Sequence, residues 1–208
     1  MRRKNKLALV FAAALALTFA PAAAHAESAD PAPPSTAEEA SDLPHQIADD
    51  PDLRFVSVAE AVEEFGFDPA ATPENAAEAA PEITPLNEWW GCEWDGKADY
   101  PHVTNGEASV HGYWVYISGD CPATADVTVN LQALGCSNLG CTWINQASDS
   151  APGVTPGSGT GHWATPHKAC ANSNPVAWRG EVHVGLANFW HPYGPSYGAA
   201  VDLNCAPA

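Results

Sequence analysis

The six cysteines constrain this chain more than any other feature. Cys92, Cys121, Cys136, Cys141, Cys170 and Cys205 all lie after residue 88. An even count with no Cys-x-x-Cys pair reads as three disulfides rather than a zinc site. Cys136 and Cys141 flank the turn-prone run Ser137-Asn138-Leu139-Gly140, with strand-like sequence on both sides. They should therefore face each other across a tight hairpin. The other four cysteines allow three pairings, of which the sequential one, Cys92–Cys121 with Cys170–Cys205, is expected. Oxidised cysteines are not nucleophiles, so cysteine-dependent catalysis is not expected.

Disulfides need an oxidising compartment, and the N-terminus supplies a route to one. Arg2, Arg3, Lys4 and Lys6 precede an apolar run from Leu7 to Ala20, followed by Ala24-His25-Ala26. These are the three parts of a secretory signal peptide over residues 1–26. The apolar run is shorter than the roughly 20 residues that span a bilayer. Without the signal, Arg54, Lys97, Lys168 and Arg179 stand alone against all 25 acidic residues. A chain so acidic repels phosphate backbones and anionic lipid. Neither nucleic acid nor membrane is an expected partner, and the expected location is extracellular, including association with the cell wall.

The remainder divides by composition. Residues 27–88 carry 16 acidic residues and nine prolines, with no Trp, Tyr or Cys. Such a segment has too little apolar surface to offset chain entropy, and reads as a mostly disordered acidic arm. One island interrupts it. Ser57 and Glu60 form a capping-box pair, Val58, Ala61, Val62 and Phe65 share a helical face, and Gly66 is placed to end a helix near 57–65. A helix of two or three turns is marginal alone. It docks on the rest of the chain, binds a partner, or forms transiently; removal of the arm after export is a further outcome.

Residues 89–208 hold all eight Trp and all five Tyr. Period-2 alternation dominates: Val127, Val129 and Leu131 in Thr124–Leu134; Val110, Trp114 and Tyr116 in Ser109–Ile117; Trp178, Val182, Val184 and Leu186 in Val176–Phe189; and Tyr197, Ala199, Val201 and Leu203. Weaker candidates are Cys141–Gln146 and Gly161–Ala171, the latter interrupted by Pro166. Short strands with Gly, Pro, Asn and Ser turns predict an all-β antiparallel sandwich, immunoglobulin-like as the first choice and a Greek-key barrel as the second.

Eight indoles exceed what so small a domain readily buries with every N–H satisfied. Trp114 and Trp178 continue apolar strand faces and should be core. Trp89, Trp90 and Trp190 lie near loops, and with His191, Tyr193 and Tyr197 of the loop His191–Gly198 they are the candidate binding residues. Arg179, Glu181 and His183 read as a solvated, charge-complementary row. Glu93, Asp95 and Asp99 form only a loose oxygen-ligand cluster, matching no Ca²⁺ loop. No metal ion or cofactor is expected. There is no G-x-S-x-G elbow, HExxH or Walker loop.

Cys121-Pro122, the run Ala125–Ala133, Cys170-Ala171 and Trp178-Arg179-Gly180-Glu181-Val182 resemble small secreted actinobacterial proteins of unknown function, over about residues 110–205. That resemblance implies no activity, cofactor or site. The expected function is a secreted, non-enzymatic interaction module binding a glycan or protein at an aromatic surface. The alternatives are a secreted hydrolase using an acidic pair, which needs two carboxyls across a cleft, and a structural envelope protein.

Overall fold

The alternation in Val127–Ala133 builds the central strand, and the rest of the fold is arranged around it. A computed structural model describes residues 44–69, 91–186 and 194–208; they fall within one unit, Thr36–Ala208. The expected signal peptide lies outside them. So do Trp89, Trp90, Trp190, His191 and Tyr193.

Ten strands and a capped helix are described, with a further helical turn over 44–48: β1 Arg54–Phe55, α1 Val58–Phe65, β2 Cys92–Ala98, β3 His102–Thr104, β4 Glu107–Ser109, β5 Gly112–Gly119, β6 Ala125–Ser137, β7 Gly140–Val154, β8 His167–Leu186, β9 Ser196–Tyr197 and β10 Val201–Pro207. All pairings are antiparallel. Eight strands form one sheet, in which β6 lies between β7 and β8, and β8 also pairs with β4, β9 and β10; β2 and β5 form a second sheet. An eight-plus-two division is more lopsided than the strand partition of immunoglobulin domains.

The two sheets meet over the inward residues of β6 and β8. Val127, Val129, Leu131, Trp178, Val182 and Val184 cluster with Cys92, Trp94, Val110 and Trp114. Gly112 marks how closely they approach, since a Cβ there would lie 2.3 Å from Val129 Cγ2 and 2.9 Å from Val182 Cγ2. Trp114 and Trp178 are fully buried. Their indole N–H groups donate to the carbonyls of Val154 at 2.9 Å and Cys205 at 2.8 Å, which satisfies the polar edge of each ring.

The disulfides are Cys92–Cys121, Cys136–Cys141 and Cys170–Cys205. Cys136 and Cys141 are direct cross-strand partners in the β6–β7 hairpin. Cys170 and Cys205 join the neighbours β8 and β10, and Cys92 joins β2 to the chain just past β5.

Several strand boundaries differ from expectation. β7 continues through 147–154, a polar run containing Pro152. The hairpin register with β6 carries it, Ala125 pairing with Val154, and an edge strand tolerates Pro. β8 continues through Pro175, which pairs with Asn204 of β10 where β8 has no register with β6 or β4. The final alternating run is split: β9 ends at Tyr197, and Gly198 packs so tightly that a Cβ would lie 2.8 Å from that of Ala98.

Of the outcomes open to the helix in the acidic arm, the described part takes the docked one. Residues 44–69 are folded onto the β domain. β1 pairs with the end of β6, Arg54 opposite Cys136 and Phe55 opposite Gly135. Val56 N–H donates to the Leu134 carbonyl at 3.1 Å and its own carbonyl accepts from Ala177 N–H at 2.9 Å. The segment thus fills the fork where β6 and β8 separate. The Ser57 hydroxyl accepts from Glu60 N–H at 3.1 Å, and Gly66 ends α1 in the left-handed region. Val56, Ala61, Leu134, Cys136 and Ala177 form a second small core, with Phe65 and Trp143 against it. The charged residues face outward, so net charge concealed an apolar stripe sufficient to dock.

A polar cleft with a histidine–aspartate rim

Strand alternation sets the cleft. In β2, Cys92, Trp94 and Gly96 point inward and Glu93, Asp95 and Lys97 outward. A Cβ on Gly96 would lie 3.1 Å from Ser196 Oγ, so the small residue lets β9 come alongside. Ser196 Oγ donates to Asp95 Oδ1 at 3.1 Å, and Lys97 pairs with Asp95 Oδ2. Residues 95–100 and 196–199 enclose a cleft of about 390 Å³. Two acidic residues, Asp95 and Asp99, line it with Lys97, Tyr100 and Tyr197. Tyr100 is 71% exposed.

Tyr197 is the one candidate binding residue among those described. It is half-buried, and one face of its ring is taken by Arg179. The Arg179 guanidinium carbon lies 4.2 Å from its ring centre and 4.5 Å from that of Trp143. Arg179 is 4% exposed and its Nε donates to Gln132 Oε1 at 2.8 Å. Glu181 Oε2 accepts from Asn130 and Gln132 at 2.9 and 2.8 Å, while its Oε1 lies 3.4 Å from His183 Nε2. The row expected to be solvated is therefore buried at its Arg179 end. Rings from β7 and β9 cover the guanidinium, and neither is near it in sequence.

At the edge of the cleft Asp99 joins a second constellation. Its Oδ1 accepts from the backbone N–H of His111 at 2.8 Å and its Oδ2 lies 2.6 Å from His111 Nδ1. His102 Nδ1 lies 3.2 Å from the Tyr100 carbonyl, and its Nε2 lies 3.2 Å from Ser109 Oγ. The two imidazoles stack with centroids 5.1 Å apart, and Trp163 packs on His111 at 4.2 Å. Donor atoms of Asp99, His102 and His111 lie within 4.8 Å of one another, and all three residues are partly exposed.

Composition gave no sign of this convergence, but a turn motif carries one. Asn105-Gly106 joins β3 to β4 with positive φ at both residues, 54° and 79°, the signature of a two-residue hairpin turn. That register sets His102 opposite Ser109, two residues before His111. Of the looser acidic trio, Glu93 accepts from Ser118 and is not part of the cleft lining, while Asp95 and Asp99 line the cleft but engage different partners, Lys97 and Ser196 for Asp95 and His111 for Asp99.

The Ser109–His102 contact does not make a nucleophile. Ser109 is 1% exposed, so a substrate cannot reach its hydroxyl. The other nitrogen of His102 faces a backbone carbonyl, not the carboxylate that orients a catalytic base.

No protein-family model, characterised protein or solved structure matches this chain.

Proposed function

We propose that the chain is an exported, non-enzymatic binding module whose cleft between 95–100 and 196–199 takes a hydroxyl-rich ligand of the glycan class. The observation that carries this reading is the exposed Tyr100 ring beside the carboxylates of Asp95 and Asp99. Carboxylates accept paired hydrogen bonds from sugar hydroxyls, and an exposed aromatic ring stacks on the apolar face of a pyranose. The volume is within the range of small-ligand sites.

Export is part of the same reading. Its support is the N-terminal pattern, the three disulfides and the absence, among the described residues, of a helix long and apolar enough to cross a membrane. The broad immunoglobulin-like reading, two antiparallel layers with binding loops at one end, belongs here too. So does kinship with small secreted actinobacterial proteins, whose shared residues fall in β6, in β8 and at Cys121-Pro122 just before β6.

The test is a glycan array probed with oxidised protein, residues 27–208, followed by calorimetry on any hit. Tyr100→Ala should weaken binding at least tenfold with an unchanged melting temperature. No glycan bound at millimolar concentration, or a variant binding like the parent, overturns the reading. Asp95 and Asp99 sharing one cleft is the observation that favours hydrolysis as the second reading. Glycan cleavage lost in both Asp95→Asn and Asp99→Asn would establish it.

A further inference from the structure

We propose that Asp99, His102 and His111 form a binding site for a divalent late first-row metal ion of the Zn²⁺ class. The inference stands on this side-chain cluster and does not require the cleft to bind a glycan.

Three observations converge. The donor atoms already lie within 4.8 Å of one another, so small rotations bring them to a common ion at about 2.0–2.2 Å. The rings are held before any ion arrives. His102 Nδ1 faces the Tyr100 carbonyl, an arrangement that leaves Nε2 as the lone-pair nitrogen and matches the outer hydrogen bond of metal-ligating histidines. His111 is fixed by Asp99 on one side and Trp163 on the other. The backbone is fixed as well, Asp99 N–H donating to the His111 carbonyl at 3.0 Å.

The donor set selects the ion. Two imidazole nitrogens and one carboxylate oxygen suit Zn²⁺ and its neighbours, whereas Ca²⁺ and Mg²⁺ want oxygen cages. Three protein ligands at a partly exposed position leave a fourth place open to water or to a ligand in the adjoining cleft. At His111 the ion would take the place of the proton between Nδ1 and Asp99 Oδ2, and the neutral ring would carry that proton on Nε2 instead. The Ser109 hydroxyl would turn away from His102 Nε2.

The experiment is a Zn²⁺ titration of tag-free, oxidised protein by calorimetry, without glycan. One equivalent should bind with micromolar or tighter affinity, and a tenfold excess of Ca²⁺ should not compete. His102→Gln and His111→Gln should each weaken binding at least tenfold. Side-chain ¹⁵N spectra of the unmodified protein serve as a second readout, immune to misfolding of a variant: His102 and His111 should shift first on adding Zn²⁺. Absence of binding, affinity in both variants equal to the parent's, or first shifts confined to histidines other than His102 and His111 overturns the proposal. Failure of the glycan array would leave these outcomes unchanged.

Discussion

The guanidinium of Arg179 stands 4.2 Å from the centre of the Tyr197 ring, so the wall of the cleft rests on a buried cation. On its other side is Trp143. A desolvated cation between two rings is worth about 2 kcal/mol, and its hydrogen bond to Gln132 adds about 1.5 kcal/mol. Arg179→Ala should therefore lower unfolding free energy by about 3.5 kcal/mol. Arg179→Lys should recover less than half of this, since an ammonium cannot stack as a plane. Urea midpoints within about 0.5 kcal/mol of the parent for both variants would show that the stack contributes nothing.

The Trp143 ring and its N–H should behave differently. Trp143 Nε1 is buried with no hydrogen-bond partner among the described residues. Trp143→Phe keeps a ring beneath Arg179 and removes the unsatisfied donor, so stability should change by less than about 1 kcal/mol. Trp178→Phe loses both the bond to Cys205 and buried volume, and should cost about 3 kcal/mol. Thermal melts of the two variants measured together check the contrast.

Docking of the N-terminal segment gives a third expectation. Val56 is 1% exposed in the fork between β6 and β8. Val56→Ala removes two methyl groups there and should cost about 2 kcal/mol. Ser57→Ala, by removing the cap of α1, should cost about 1 kcal/mol. If the segment were a detached arm, neither substitution would move the denaturation midpoint.

The disulfides should rank by the loops they close. The sequence separations are 5, 29 and 35. Chain entropy gives about 2 kcal/mol for the hairpin bridge and between roughly 3.5 and 4 kcal/mol for each longer one. Replacing Cys136 and Cys141 by Ala should leave a folded protein at 25 °C. Replacing Cys170 and Cys205 should lower the melting temperature markedly further, and complete reduction should abolish the native near-ultraviolet spectrum.

Gly112 should tolerate no side chain. Gly112→Ala places a methyl 2.3 Å from Val129 Cγ2. Separating the two sheets to admit it should cost about 2–3 kcal/mol. A crystal structure or melt showing the variant as stable as the parent would mean the sheets slide freely.

Some of this architecture was legible because it is local. Alternation put Val127, Val129, Leu131, Trp178 and Val182 on one buried face, and periodicity is a property of each strand alone. The helix 58–65 announced itself through Ser57, Glu60 and Gly66, since caps act within four residues. What misled was average composition. The acidic residues of 44–69 masked Val56, Ala61 and Phe65, and docking depends on where an apolar stripe lands, not on how many charges surround it.

Local pattern thus determined the strand faces, the capped helix and the hairpin cysteine pair, because each is set by neighbours along the chain. Tertiary structure alone decided that residues 44–69 join the domain, that Arg179 is buried, and that Asp99, His102 and His111 converge. These depend on which strands lie side by side. Register and sheet packing bring together residues far apart in sequence, and no short-range preference encodes that distance.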